Sequence, residues 1–240
     1  IDPDSVSEVR HATTLGSNVI IERLADEVAF ITTKGFEDIM DIQTAVRYNV
    51  YDPRMRKASP LVMRKNVYGV DERIRADGSV HRPLDIKEVQ RVANEISVRG
   101  MKSIAIGLIN SYRHDQHEQQ IRAIVSERNP GAYISISSEV SSLGEEYVRF
   151  STAIANSYIG QIFASYLSRL EFKLMSIGIS ARILIMHSGG GLTTIDMAKT
   201  TPVKSIESGP AAGVLMAKRA CAETGIDNAI AWDMGGTTAK

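Results

Sequence analysis

The segment of this chain with the clearest capacity for chemistry is Asp233–Thr238, which reads Asp-Met-Gly-Gly-Thr-Thr. It follows the apolar run Ala229–Trp232, so the acid is predicted where a buried strand ends and a glycine turn begins. Two glycines allow close backbone approach, so successive N–H groups can converge on an anion. The threonine hydroxyls add donors, and Asp233 can hold a hydrated Mg²⁺ against phosphate oxygens. The pattern favours a phosphate-binding turn over an ordinary turn after a core strand.

A second candidate is Glu207–Gly213, which reads Glu-Ser-Gly-Pro-Ala-Ala-Gly. Pro210 suits the first turn of a helix, and Ser208 or Gly209 can cap it. A helix N-terminus also presents free N–H groups to an anion, where Glu207 could help to hold Mg²⁺ or the attacking group. The structural and the functional interpretation use the same geometry and are compatible.

His11 is the most plausible catalytic imidazole of the sequence. It leads Thr13 and Thr14 out of a predicted strand into the start of a helix, where their donors could meet a carbonyl or a phosphate oxygen. The alternative is a histidine satisfied by a neighbouring backbone group.

Other reactive side chains are better explained without chemistry. His114 and His117 have acids nearby but no third ligand at suitable spacing, so a solvated helix start is predicted rather than a metal site. His187, beside a glycine-rich turn, is a weaker candidate than His11. Cys221 lies among small residues and is predicted to be a buried, inert thiol. The basic stretch at residues 47–57 is predicted to face solvent.

Composition restricts the class of protein. The 240 residues are 43% hydrophobic, enough to bury a core as one large or two modest domains. Since 28 basic and 28 acidic residues balance, nothing indicates nucleic-acid or anionic-membrane binding. A single cysteine excludes an internal disulfide framework and fits a reducing compartment. No apolar stretch is long enough to span a bilayer, and a cytoplasmic location is predicted.

Predicted strands and helices alternate along the chain, which favours a layered α/β fold. Asp77-Gly78 is typical of a turn between antiparallel strands, and Asp85 with Glu88 forms a plausible capping box. The main predicted strands are 28–33, 103–109, 133–137, 182–186 and 229–233, and the main predicted helices are 86–99, 117–128, 145–175 and 210–223.

Four segments in order resemble the hydantoinase A/5-oxoprolinase family, whose relatives include ATP-dependent acetone and acetophenone carboxylase subunits. The segments follow the order that they have in the family and together cover nearly the whole chain. Ala12 stands where the family usually has glycine. The segments are His11–Asn18, Gly35–Ile42, Glu146–Thr152, and Glu207–Gly213 followed by Asp233–Thr238.

The resemblance implies a fold of the actin–sugar kinase–chaperone superfamily, with ATP bound between ribonuclease-H-like domains. It implies an N-terminal region over residues 1–131, lacking its first phosphate hairpin, and the start of an ATPase core over residues 132–240, ending at the second hairpin. The domain would be incomplete at both ends. The sequence would then carry roughly half of an ATP site, and we expect these residues alone to be inactive and to bind ATP weakly or not at all.

The implied function is ATP-dependent activation of a cyclic amide carbonyl for hydrolysis, with Mg²⁺ as the metal. Alternatives are a ketone carboxylase subunit and a non-catalytic, chaperone-like nucleotide-binding module. A hydantoinase B-type partner subunit or domain is implied, and self-association is compatible with it. The implied catalytic residues are His11, Thr13, Thr14 and Glu207, the nucleotide-binding residues are Ser208, Gly209, Gly213, Asp233, Gly235, Gly236, Thr237 and Thr238, and the metal ligand is Asp233.

Overall fold

The computed structural model describes residues 2–44, 51–52, 54 and 58–235. The chain divides by packing into two compact units. Unit 1 comprises Ile1–Ala25 with Ile162–Lys240, and unit 2 comprises Asp26–Gln161. The segments 1–131 and 132–240, which come from the family resemblance, divide the chain on a different basis and stay a prediction.

The elements within the described residues are numbered in chain order. The strands are β1 (Glu8–His11), β2 (Val28–Thr33), β3 (Val67–Val70), β4 (Arg73–Ile74), β5 (Val80–Arg82), β6 (Ser103–Gly107), β7 (Tyr133–Ile136), β8 (Arg182–Met186) and β9 (Leu192–Thr194). The helices are α1 (Leu15–Ile21), α2 (Ile39–Ile42), α3 (Ile86–Val98), α4 (Gln116–Arg128), α5 (Ser137–Val140), α6 (Glu146–Ser176), α7 (Ile195–Thr200) and α8 (Ser208–Thr224). Short 3₁₀ turns occupy Pro3–Ser5, Arg64–Asn66 and Pro202–Ser205.

Unit 2 is built on a parallel sheet with strand order β3-β2-β6-β7. Every residue of β2 and β6 is buried, as expected for strands covered on both faces. The turn at Asp77-Gly78 joins β4 and β5 as an antiparallel pair, as predicted. Alternating strands and helices around a parallel sheet confirm the α/β class.

Helix α3 begins as predicted, but only half of the capping box forms. The Asp85 side chain accepts from the N–H groups of Lys87 and Glu88, at 2.9 and 3.2 Å. Glu88 does not reach back to Asp85; its carboxylate accepts from the N–H of Asp71 at 2.7 Å. The reciprocal bond is replaced because the Asp85 N–H donates to the Asp71 carbonyl oxygen at 2.9 Å. Gly100 ends the segment with a φ of 65°.

A buried carboxylate, Glu118, lies beside the carboxyl ends of β6 and β7. It is 0% exposed. Its oxygens accept from the Leu108 N–H at 2.9 Å and the Ser137 hydroxyl at 2.6 Å. They also accept from the N–H of Ser138 at 3.0 Å and from its hydroxyl at 2.7 Å. These donors compensate the desolvation of a buried charge, so Glu118 fixes the ends of both strands.

The positive counterpart of Glu118 is Arg149, in the first part of α6. Its guanidinium donates to the carbonyl oxygens of Leu108 and Leu143, both at 2.9 Å, and to the Ser137 hydroxyl at 3.1 Å. Burial lowers the pKa of Arg149, and the negative charge of Glu118 opposes that shift. One of the four family-like segments, Glu146–Thr152, therefore contains a residue with a clear structural task.

His117 corrects the sequence interpretation of its segment. It is 5% exposed rather than solvated, because its Nδ1 pairs with the buried Glu72 carboxylate at 2.8 Å. The other oxygen of Glu72 accepts from the Thr33 hydroxyl, whose oxygen accepts from the Ile109 N–H at 3.0 Å. In the part of the chain that the structure describes, no cluster of three or more His, Cys, Asp or Glu could hold a metal ion.

Unit 1 contains a three-stranded sheet with order β1-β8-β9. β1 and β8 are parallel, with His11 opposite Ile185, and β9 is antiparallel to β8. Its core consists of Phe163, Leu167, Ile185, Ile195 and Ala198. Over the residues described, no helix is long and apolar enough to cross a membrane.

The strand predicted at 229–233 is wrong. These residues adopt no regular structure, and Ile230 is 90% exposed, because no neighbouring strand among the described residues pairs with them.

Cys221 is half-buried rather than buried. Of the basic residues at 47–57, Arg54 is described; its side chain is 92% exposed, as predicted, and lies 3.5 Å from Asp52. Arg47, Arg56 and Lys57 lie outside the described residues.

Neutralising Glu118 should destabilise unit 2. We expect Glu118→Gln to lower the free energy of unfolding by about 3 kcal/mol, because Arg149 is left buried without its countercharge and two donors lose acceptors. Glu127→Gln is the matched control, since Glu127 is exposed on the same helix and such changes cost within about 0.5 kcal/mol. Urea unfolding followed by far-UV circular dichroism measures both variants. Equal stability of the two would contradict a structural role for Glu118.

Candidate active site

His11 is the last residue of β1, and the second half of α6 supplies its partner. The Nε2 atom of His11 lies 2.9 Å from the hydroxyl oxygen of Tyr166, and the ring centroids are 5.7 Å apart. Tyr166 also packs against the core cluster that contains Ile185, the residue opposite His11 in the sheet. The strand pairing therefore brings the imidazole to a phenol that is 155 residues away in sequence.

Partial burial affects the charge of this imidazole. Desolvation lowers the pKa of His11 from its ordinary value of 6.5. His11 is therefore neutral at neutral pH, with one nitrogen as a donor and the other as an acceptor.

Two serines fix the loop after β1 to the start of α8. The Ser208 hydroxyl accepts from the Thr13 N–H at 3.1 Å and donates to the Thr13 carbonyl oxygen at 3.0 Å. Ser208 is 0% exposed. A second serine adds to this connection, since the Ser17 hydroxyl lies 3.0 Å from the carbonyl oxygen of Thr14 and 2.9 Å from that of Ile206. Two segments far apart in sequence are thereby held at a fixed separation.

Packing favours glycine at one of the two glycine positions of α8 nearest this loop. A Cβ at Gly209 would lie 2.9 Å from Cγ2 of Thr14, so a side chain there would displace the Thr14 methyl group. A Cβ at Gly213, one turn later, would meet nothing within 4 Å. The N-cap residue Glu207 makes no side-chain capping bond to the first turn of α8.

These elements enclose an open cleft of about 590 Å³ within unit 1. Asp233 faces it and is exposed. A smaller recess of about 280 Å³ shares Gly213, Trp232 and Asp233 with the cleft. The residues that line the cleft are His11, Ala12, Thr13, Thr14, Tyr166, Gly209, Gly213, Trp232 and Asp233.

The cleft brings together six of the predicted site residues, namely His11, Thr13, Thr14, Gly209, Gly213 and Asp233. Glu207, Ser208 and Gly235 are not among its lining residues, and the Ser208 hydroxyl is committed to Thr13. Gly236, Thr237 and Thr238 lie outside the described residues, as does Lys240. His187 also lies apart from the cleft lining, and burial lowers its pKa, with the charge of Lys204 adding to the shift.

Sequence reasoning missed two lining residues, Tyr166 and Trp232. Tyr166 lies within a 31-residue helix of mixed polarity, where nothing distinguishes it from the other tyrosines. Trp232 is the single tryptophan of the chain and is 72% exposed, beside Asp233. An aromatic next to a candidate metal-binding acid was therefore visible in the sequence, whereas the position of Tyr166 depends on tertiary packing.

The two glycines of α8 should respond oppositely to alanine. We expect Gly213→Ala to stabilise unit 1 by up to about 1 kcal/mol through helix propensity. Gly209→Ala should instead destabilise it by about 1–3 kcal/mol, because its methyl group displaces Thr14. Thermal unfolding of both variants measures the difference. Equal shifts in Tm would show that the loop after β1 does not pack closely on α8.

Sequence comparison places the chain among known proteins. Residues 1–129 match the family model described as hydantoinase/oxoprolinase N-terminal region, and residues 149–240 match the model described as hydantoinase/oxoprolinase. The chain is 32% identical to 5-oxoprolinase of Saccharomyces cerevisiae, over 99% of the chain and 20% of that protein. It is 30% identical to the acetophenone carboxylase gamma subunit of Aromatoleum aromaticum, over 96% of the chain and 33% of that subunit.

A solved structure agrees with these relatives. The crystal structure of ATP-dependent caprolactamase from Pseudomonas jessenii matches with a TM-score of 0.83 and 29% identity, over 95% of this chain and 33% of that one. The chain thus spans between a fifth and a third of the length of these three relatives. Since the first family model alone covers more than half of the 240 residues, the chain belongs to the hydantoinase/oxoprolinase family.

Proposed function

We propose that the protein is the ATP-dependent subunit of a hydantoinase/5-oxoprolinase-type enzyme, which phosphorylates a cyclic amide carbonyl and so activates it for hydrolysis. The observation that carries this proposal is the cleft of unit 1, where an imidazole, two threonines, the first turn of a helix and a carboxylate converge. The caprolactamase relative, named as ATP-dependent, acts on a lactam and so supports both ATP and the cyclic amide.

The cleft residues fit a nucleotide phosphate and Mg²⁺. Asp233 offers exposed carboxylate oxygens, the ligand type that Mg²⁺ prefers. The open space beside Gly213 lets the backbone of α8 approach a ligand. The N-cap residue Glu207 makes no side-chain capping bond, so the N–H groups of the first turn of α8 are candidates to bind an anion. ATP would supply the phosphoryl group, and Mg²⁺ would neutralise its charge.

The residues of the chain would then share the work of binding and positioning. The first turn of α8 and Asp233 would hold phosphate and metal, with Gly235, Gly236, Thr237 and Thr238 continuing the same site. The Thr13 hydroxyl accepts from the Leu15 N–H at 3.1 Å, and its own hydrogen has no protein acceptor among the described residues, so it can be donated to a ligand. His11, with Thr14, would orient the substrate oxygen. Glu207 stays a candidate for the metal or the attacking group, and Ser208 would act by fixing Thr13.

Further features follow from the family resemblance rather than from the described residues. We propose a ribonuclease-H-like fold of the actin–sugar kinase–chaperone type, consistent with the mixed α/β units. A hydantoinase B-type partner is part of the proposal, in line with a relative that is named as the gamma subunit of a carboxylase. A cytoplasmic location stays a prediction.

The carboxylase alternative rests on that same relative, whose name states that it is a subunit of acetophenone carboxylase. In that case the activated oxygen belongs to a ketone enolate, and carboxylation replaces hydrolysis. ATP turnover by the full-length protein with its partner separates the two, because only one substrate class should stimulate it. Hydantoin, 5-oxoproline and caprolactam represent cyclic amides, and acetone and acetophenone represent ketones. Stimulation by unfolded peptide alone would instead favour a chaperone-like module.

Removing the charge of Asp233 should abolish most of the substrate-dependent ATP turnover. We expect Asp233→Asn to reduce substrate-dependent ATP turnover by at least about 100-fold, comparable to the loss of another preorganised electrostatic contact. Asp227→Asn is the control, since Asp227 is also exposed and does not line the cleft. Steady-state phosphate release measures both. Unchanged turnover in Asp233→Asn would show that this carboxylate does not hold the metal.

The pH dependence should report the neutral form of His11. Because burial lowers its pKa below 6.5, the imidazole stays neutral to lower pH than an ordinary histidine. We therefore expect the acid limb of the kcat/KM profile to lie below pH 6.5. His11→Gln should remove this limb and lower kcat/KM. A limb above the ordinary value, or one that survives in His11→Gln, would assign the titration to another group.

A further inference from the structure

We propose that Tyr166 positions the imidazole of His11 by donating its hydroxyl hydrogen to Nε2, so that Nδ1–H is the group presented to the cleft. The use of that group for catalysis rests on the proposed function, whereas the hydrogen bond itself does not. Tyr166 acts through His11 and is therefore a positioning residue rather than a catalytic one.

Core packing fixes the orientation of the Tyr166 phenol, and the phenol in turn orients the imidazole of His11. The Tyr166 ring packs against the core cluster of Phe163, Leu167 and Ile185, which sets the direction of its hydroxyl. That hydroxyl lies 2.9 Å from Nε2 of His11, a normal hydrogen-bond distance. The two rings are in contact as well, tilted by 35°. The backbone of His11 is held by the pairing of β1 with β8.

The hydrogens available on Tyr166 and His11 favour one tautomer of the imidazole. A neutral imidazole has one N–H and one lone pair on nitrogen, and a phenol can donate one hydrogen. Within the described residues the Tyr166 hydroxyl has no acceptor besides Nε2, and Nδ1 of His11 has no protein partner. If Nε2 carried the hydrogen, the phenolic hydrogen and the Nδ1 lone pair would both lack a protein partner among the described residues, whereas the opposite tautomer leaves only Nδ1–H unpaired. Donation from Tyr166 to Nε2 leaves the hydrogen of the imidazole on Nδ1.

The chemical consequence is a neutral donor in the cleft. An Nδ1–H group can donate to the carbonyl oxygen of an amide or ketone and stabilise the negative charge that develops on it. A neutral imidazole with the opposite tautomer would present a lone pair to the same oxygen and repel it. Tyr166 would therefore select the tautomer that stabilises the carbonyl oxygen during the phosphorylation in the proposed function.

Nitrogen NMR tests the tautomer without any substrate. The chain has five histidines, so spectra of the ¹⁵N-histidine-labelled protein can be assigned with His11→Gln. At pH 7.5, well above the lowered pKa, we expect Nε2 of His11 to resonate as an unprotonated nitrogen and Nδ1 as a protonated one. Tyr166→Phe should return His11 to a mixture of tautomers. A protonated Nε2 in the wild-type protein would overturn the proposal.

A matched variant separates this effect from general damage to α6. Tyr147→Phe makes the same change on the same helix, and the Tyr147 hydroxyl has no hydrogen-bond partner among the described residues. Its His11 resonances should equal those of the wild type. If Tyr147→Phe changed the tautomer as Tyr166→Phe does, the effect would belong to the helix and not to the hydrogen bond.

Kinetics of the full-length protein give the second readout. We expect Tyr166→Phe to lower kcat about 10- to 100-fold with little change in KM, as for other partners that orient an imidazole. Tyr147→Phe should retain wild-type kcat. Equal kcat in the two variants would overturn the positioning role. If no cyclic amide or ketone stimulated ATP turnover in the wild type, the proposed function would fail, while the NMR result would still decide the tautomer.

Discussion

The candidate site depends on the two hydrogen bonds between the Ser208 hydroxyl and the backbone of Thr13. They join the end of β1 to the start of α8 across 195 residues of sequence. Because Ser208 is fully buried, water cannot replace either bond at low cost. The same junction favours glycine at 209, since a methyl group there would displace the side chain of Thr14. The cleft is the space that remains beyond this junction.

The local parts of this junction could be predicted from sequence, but the junction itself could not. Pro210 and the small residues around it indicate a helix start, and His11 with two threonines indicates a loop that could bind an oxygen anion. Ser208 is a helix-capping candidate from its position, and the family resemblance implies that it binds nucleotide. In the fold that hydroxyl satisfies Thr13. Which polar group a serine meets is a tertiary property, and the same reason conceals Tyr166.

The fold shows the same division between local and long-range information. β2 and β8 have their predicted bounds because each is a short, mainly apolar run with polar residues at or just beyond its ends. The predicted strand at 229–233 is also a short apolar run that ends in a polar residue, yet it is irregular, since a strand also needs a partner and the described residues supply none. His117 has a polar sequence neighbourhood, but it is buried because Glu72, 45 residues earlier, compensates it. The composition of a segment indicates its propensity for a strand or for burial, and its tertiary partners decide whether the strand or the burial occurs.

The polar networks of the two units differ: the one in unit 2 only stabilises the fold, whereas the one in unit 1 also holds groups that can contact a ligand. In unit 2 the groups around Glu118 and Arg149 satisfy one another, and a network of this kind rigidifies the strand ends without offering anything to a ligand. In unit 1 the backbone around Thr13 is satisfied in the same manner, but Nδ1 of His11 and the Thr13 hydroxyl hydrogen have no protein acceptor among the described residues. A group held in place by satisfied neighbours and left open on one side can bind a ligand with little further ordering. The segments by which the chain resembles its family thus have separate tasks. The one containing Arg149 stabilises unit 2, and those containing His11 and Gly209 line the cleft of unit 1.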